Sequence, residues 1–165
     1  MIILGIDPGL ANCGYGVLEI VNNRDLRAIH WGAVRTAAAT EGTERLGAIY
    51  AELKALHETY SPDAVAMEEL FFARNVSSAM KVGEVIGVIK LLAYERGIPL
   101  SGYTPLQIKQ TIACYGRADK IQMQRMVQLI LGMKDLPKPN HAADALAVAV
   151  CHANSSRLNQ LVRAS

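Results

Sequence analysis

Disulfide chemistry has no foothold in this 165-residue chain: its three cysteines, Cys13, Cys114 and Cys151, are an odd number at scattered spacings that match neither a disulfide framework nor a zinc site. The thiols are expected to be buried small hydrophobes, since none sits in a motif that lowers a thiol pKa. No window holds the run of about eighteen uncharged apolar residues that a membrane helix needs. The opening residues, MIILGIDPG, carry no basic stretch ahead of an apolar one. These absences exclude a membrane span and an export signal, and a reducing cytoplasm is the expected location. Net charge is scarce too. Lys and Arg number 17 against 15 Asp and Glu, a formal +2, so any case for a polyanionic partner rests on local clustering.

What remains is a chain of one-domain length with 51% hydrophobic residues, enough to build a core without crosslinks. A single domain is expected over 1–155, with 156–165 a flexible polar tail. Residues 2–6 form an apolar strand that stops at Asp7-Pro8-Gly9, where proline sets φ and glycine permits a turn. Residues 15–21 and 26–36 are two more strands joined by a hairpin connection, giving a three-stranded meander. Leu46, Ile49, Tyr50, Leu53, Leu56 and Tyr60 recur at helical steps over 44–60, and 64–67 is a second buried strand ending in Glu68 and Glu69. A long helix capped by Ser77 or Ser78 reaches Arg96 and stops at Gly97. A last strand spans 100–103, and helices follow over 106–113, 120–131 and 141–154. This order describes an α/β fold, a mixed sheet with helices on both faces, in which chemistry gathers at the carboxyl ends of the strands.

Asp7 and Glu68 end two of those strands, and Asp144 is the one acid in the apolar helical run 142–151. A lone carboxylate in such a run needs a cation, a hydrogen-bonding partner or an exposed strip of helix. His141, three residues earlier, shares its face. Carboxylates brought to one point repel each other unless a divalent cation offsets the charge, and oxygen ligands select hard ions such as Mg²⁺ or Mn²⁺. Plain structural readings stand beside this one. Asp-Pro-Gly is a common turn, Asp144 suits the first turn of a helix through its dipole, and strand alternation alone does not choose between Glu68 and Glu69.

GIDPG followed by GYGV, then AMEELFFARN, QIKQ and HAADALAVAV occur in this order. In that combination the chain resembles the RuvC family of Holliday junction resolvases, from Met1 through the last helix. The resemblance implies a ribonuclease H-like fold with a five-stranded sheet, a homodimer, and paired symmetric metal-dependent nicks in four-way junction DNA. It also implies two Mg²⁺ or Mn²⁺ ions per subunit and a branch-migration motor of RuvA and RuvB type as partner. By position, Asp7, Glu68 and Asp144 match the family's acidic metal ligands, and His141 fills a fourth position where many members have aspartate. Imidazole there would favour Mn²⁺ and make activity fall below about pH 6.5, the unperturbed histidine value. Phe71 matches an aromatic that stacks on junction bases, with Phe72 beside it, and Lys109 and Lys120 match basic residues near the scissile phosphate. Arg74, Lys81 and Arg117 flank these motifs as further phosphate contacts.

Two other classes compete. An actin-like phosphotransferase also begins with a strand ending in Asp-x-Gly, but it needs two such domains and a phosphate-binding Ser, Thr or Lys that 10–13 lack. A relative acting on a different nucleic acid, or a silent junction binder, would keep the fold and change the substrate.

Overall fold

Strand β1 (Ile2–Asp7) is apolar along its length because it lies at the centre of a sheet covered on both faces. The computed structural model describes residues 1–22, 25–69, 76–114 and 116–163. The sheet has five strands in the order β3-β2-β1-β4-β5. β2 (Asn12–Val21) and β3 (Asp25–Arg35) form the expected antiparallel meander with β1, whereas β4 (Ala64–Glu68) and β5 (Leu100–Tyr103) add in parallel.

One face carries α1 (Gly42–Tyr60) and α2 (Val76–Glu95), whose Ile49, Leu53, Val85, Ile89 and Leu92 pack on Leu4, Ile6, Val65 and Met67. The other face carries α5 (Asn140–Arg163), with α3 (Pro105–Ala113) and α4 (Lys120–Ile130) packed around it. Ile3, Leu18 and Ala66 belong to that second layer. Side chains alternate across a strand, so Asp7 follows Ile3 and Gly5 onto the α5 face, and Glu68 follows Ala66. The structure thereby separates Glu68 from Glu69, which the sequence left open.

Local signals explain the helix ends. Thr104 and Asp119 each close a capping box, with Gln107 and Gln122 at the third helical positions, and Pro105 opens α3. Gly97, at φ +63°, ends α2 as the sequence predicts. Two ends differ from expectation. α2 begins at Val76, so Ser77 and Ser78 lie inside its first turn instead of capping it. α5 continues to Arg163, so the segment assigned to a flexible tail is helical through that residue. No glycine or proline follows Asn154 to stop it.

α5 lies unusually close to the sheet. A Cβ on Gly5 would overlap the Ala145 carbonyl oxygen, one on Gly14 the His141 carbonyl, and one on Gly16 the Leu146 side chain. From the helix side the contact is made by Ala142, Ala143, Ala145 and Ala149, each at most 2% exposed. Gly5→Ala is therefore expected to destabilise the protein by about 1–3 kcal/mol, as overpacking against unyielding backbone does. Gly47→Ala, in α1 with no atom within 4 Å of the added carbon, is expected to stabilise it by about 0.5–1 kcal/mol. Thermal or urea denaturation of the two variants checks both signs.

Candidate functional site

The close helix decides where the acids meet. Asp7 is the last residue of β1 and pairs with Gly14 of β2, whose missing side chain admits the backbone of His141. That seating brings His141 Nδ1 to 2.7 Å from Asp7 Oδ2. Asp144, one turn further along α5, projects from the same face, and Asp7, His141 and Asp144 each offer a ligand atom within 4.8 Å of the others. Ile6 pairs with Met67 across the parallel β1–β4 ladder, so Asp7 and Glu68 leave adjacent strands side by side. Glu68 stands outside the tight three-residue group and lines the same cavity as Asp144.

Asp144 is not the unpartnered acid of an otherwise buried run. Lys120 Nζ, on the first residue of α4, donates to Asp144 Oδ2 at 3.0 Å, and the Asp144 side chain keeps 30% of its exposure. The Asp119 cap fixes the start of α4 and hence the origin of that lysine. Crowding shows in the acids' protonation. Burial raises the Asp7 carboxyl above its ordinary value and the Asp144 charge adds to this, while the His141 hydrogen bond opposes it. Burial, then the charges of Asp7 and Asp144, push Glu68 up to about 7 against the partial offset of Lys120 and Lys109.

The donor set fits a hard divalent cation: two carboxylates and one imidazole converge, with Glu68 adjacent. Neighbouring ligands on a six-coordinate Mg²⁺ or Mn²⁺ lie about 3 Å apart, close to the 2.7 Å between Asp7 Oδ2 and His141 Nδ1. The Lys120 ammonium already on Asp144 is a second sign that this point favours positive charge.

Two depressions open beside the cluster. One, of about 270 Å³, is lined by Glu68, Lys109, Lys120 and Asp144 over an apolar floor of Ile108, Met123 and Ala147. The other, a wider cleft of about 640 Å³, runs past His141 between the end of β3 and the loop that precedes α5. Lys109 and Lys120 line the first of these together with Glu68 and Asp144. Lys81 and Arg117 are exposed and line neither depression. Phe71, Phe72 and Arg74 lie outside the described residues. Of the thiols, Cys13 and Cys151 are buried as expected, and burial pushes Cys13 up to about 12. Cys114 departs from expectation: it is exposed, in the left-handed position that ends α3.

Sequence reading missed Asn12, Arg35 and Lys138 in the wider cleft. Antiparallel pairing of Asn12 with Arg35 is what carries the end of β3 to the acids, and no motif announces it. It also missed the glycine–alanine contact that seats α5, although Gly5, Gly14 and Gly16 against an alanine-rich helix was a readable signal.

The family model described as crossover junction endodeoxyribonuclease RuvC matches residues 3–152. A protein of that name from Heliobacterium modesticaldum is 52% identical over 155 residues, 94% of this chain and 95% of its own. Among solved structures, Thermus thermophilus RuvC superposes with a TM-score of 0.89 at 39% identity, over 96% of this chain and 97% of that one. The same Thermus protein in complex with a Holliday junction substrate gives 0.88 at 38% identity, over 96% of each chain. The ribonuclease H-like sheet, the matched span and the extent of identity agree, and the chain belongs to the RuvC family of crossover junction endodeoxyribonucleases.

Proposed function

We propose that the protein resolves four-way DNA junctions in recombination and repair, nicking two opposed strands symmetrically to leave 3′ hydroxyl and 5′ phosphate ends. The observation that carries this reading is the convergence of Asp7, His141 and Asp144 beside Glu68 and a lysine-lined cavity, in a chain of the RuvC family. The Thermus relative, described in complex with a Holliday junction substrate, supports the choice of DNA.

Asp7, Glu68, His141 and Asp144 would hold two divalent ions, Mg²⁺ or Mn²⁺, in each subunit. Ions so held supply a nucleophilic water at neutral pH and stabilise the leaving oxygen. The chain's own residues do the rest. Asp7 and Asp144 keep their oxygens turned to one point, with Glu68 on the adjacent strand, because β1, β4 and α5 are fixed against one another. The 2.7 Å contact between His141 Nδ1 and Asp7 Oδ2 holds both side chains toward the point where a cation would be bound. Lys109 and Lys120 line the cavity beside Asp144 and would balance the charge of the scissile phosphate. Phe71 and Phe72 would stack on splayed bases, and Arg74, Lys81 and Arg117 would hold the flanking backbone.

Symmetric nicking needs two sites in a fixed relation, and the outer face of α2 offers a means. Met80, Leu91 and Tyr94 are 67%, 54% and 84% exposed there. Gly83 and Gly87 on the same helix have no atom within 4 Å of an added Cβ. We assign this stripe to a twofold homodimer. A motor of RuvA and RuvB type as partner, and a cytoplasmic, nucleoid-associated site of action, complete the reading. Among the described residues no helix is long and apolar enough to cross a membrane.

Cleavage of a labelled mobile junction, with linear duplex and an RNA–DNA hybrid alongside, is expected to give ligatable paired nicks in the junction alone. EDTA or Asp144→Asn should abolish them; cutting of the hybrid would instead move the protein to another nucleic acid. Glu68→Gln is expected to raise the melting temperature of the metal-free protein at pH 8. A carboxyl held at about 7 when folded, above the ordinary 4.5, contributes stability below pH 4.5 that is lost as pH rises through 7. The same variant should show a smaller rise in melting temperature on adding Mn²⁺. Leu91→Glu is expected to shift the protein from dimer to monomer in sedimentation and to uncouple the two nicks; a dimer that persists would place the interface elsewhere.

A further inference from the structure

Of the residues assigned above, His141 and Lys120 line the wider cleft, and its other lining residues have no role yet. It is built by four segments: Asn12 and Arg35 from the paired ends of β2 and β3, Lys120 from the start of α4, and Lys138 and Asn140 from the approach to and first residue of α5. Three cations therefore line it, and no carboxylate does. In a chain with a formal net charge of only +2, that is a strong local concentration.

Two of those cations are idle within the protein. Arg35 and Lys138 are exposed, and among the described residues their side chains make no hydrogen bond or ion pair. Other arginines are engaged: Arg27 with Glu19, Arg96 with Glu58, and Arg45 with Thr36. Asn140 accepts from Gln124 through Oδ1, which keeps its NH2 group as a donor. The lining contains no Phe, Tyr or Trp, so it offers no platform for a base. It offers donors and positive charge, the requirements of a sugar–phosphate backbone. Lys120 lines both depressions, so the cleft adjoins the cavity that holds Glu68 and Asp144.

We infer that this cleft is a second strand subsite, in which Arg35 and Lys138 hold phosphodiesters of the cut strand on the His141 side of the scissile linkage. The inference rests on the endonuclease reading and adds to it a direction. The strand crosses the acids from the Lys109 wall to the Arg35 wall, with its backbone held on the second side. Neither side chain touches the reacting phosphate, so both act by positioning and by affinity.

The test is junction binding without cutting, measured against salt concentration in EDTA, for the parent, Arg35→Ala, Lys138→Ala and Lys134→Ala. Lys134 is an exposed lysine beside the far end of β3 and serves as the control. The first two variants are expected to lower the slope of log affinity against log salt by about 0.7–0.9 each, as loss of one phosphate contact does, and the control to leave it unchanged. With Mn²⁺, the cutting rate of both variants should fall more at subsaturating enzyme than the single-turnover rate does at saturating enzyme, the split expected of a binding contact. A neutral methylphosphonate scanned along the cut strand should weaken the parent at linkages on one side of the cut and leave Arg35→Ala indifferent at one of them. Parental slopes in both Arg35→Ala and Lys138→Ala, with a parent that binds and cuts, would overturn the subsite alone. A parent that neither binds nor cuts the junction would overturn the endonuclease reading and the subsite with it.

Discussion

Everything at the site depends on the backbone of α5 lying directly on the backbones of β1 and β2. Gly5 and Gly14 have no side chain where the Ala145 and His141 carbonyls come down, and the helix answers with alanines instead of larger residues. Had the interface been built from leucine and isoleucine, the axis would stand further off, at the 8–10 Å or so typical of packed elements with larger side chains. Asp144 and His141 would then be carried away from Asp7. The close seating also limits how the site can be tuned. Small side chains bury little area each, so the layer relies on many such contacts and on α3 and α4 packing around α5 to hold it.

A site assembled this way opposes the stability of its own fold. Burial and the charges of neighbouring acids raise both Asp7 and Glu68, so the folded protein disfavours their ionised forms. Lys120 on Asp144 and His141 on Asp7 offset part of this cost. Both partners are themselves exposed enough to be rearranged, with side chains 52% and 39% accessible. The cluster is thus poised for something more positive than these partners supply, while the elements that carry it are fixed. Local cost on a rigid frame is the usual mark of a functional site.

Much of the frame was readable from sequence because its signals are local. Apolar runs ending in Asp7 and Glu68, the Thr104-Pro105 helix start and the Gly97 stop all act within a few residues, and the structure has each of them. The choice of Glu68 over Glu69 was not local. It follows from alternation only once Ala66 is known to face α5 and Met67 to face α1 and α2. The same holds for Arg35, whose nearness to the acids follows from its pairing with Asn12 across a ladder that shifts register between Val17 and Leu18. Counting residues from the β2–β3 connection would misplace it. The extension of α5 to Arg163 was missed for a different reason. A polar composition looks like a tail, but a helix already anchored for several turns propagates at little cost through residues that do not break it.

The charge distribution bears on how such a protein would select one DNA shape. With a formal net of +2, the chain has little long-range attraction for duplex, so unspecific binding gains little from electrostatics. Lys109, Lys120, Arg35 and Lys138 line two depressions that share Lys120 beside the acids. A straight duplex can lay one backbone across such a point but brings few phosphates into both depressions. A strand that bends away from its partner can follow both walls. Affinity then grows only where backbone geometry delivers phosphates to both sides at once, so the fold reads shape through placement of a few cations instead of through total charge. The apolar floor of Ile108, Met123 and Ala147 on one side and the polar cleft on the other make the two halves unequal. An unequal pair gives the bound strand a polarity, and a twofold partner would present the same polarity to the opposed strand, as symmetric cutting requires.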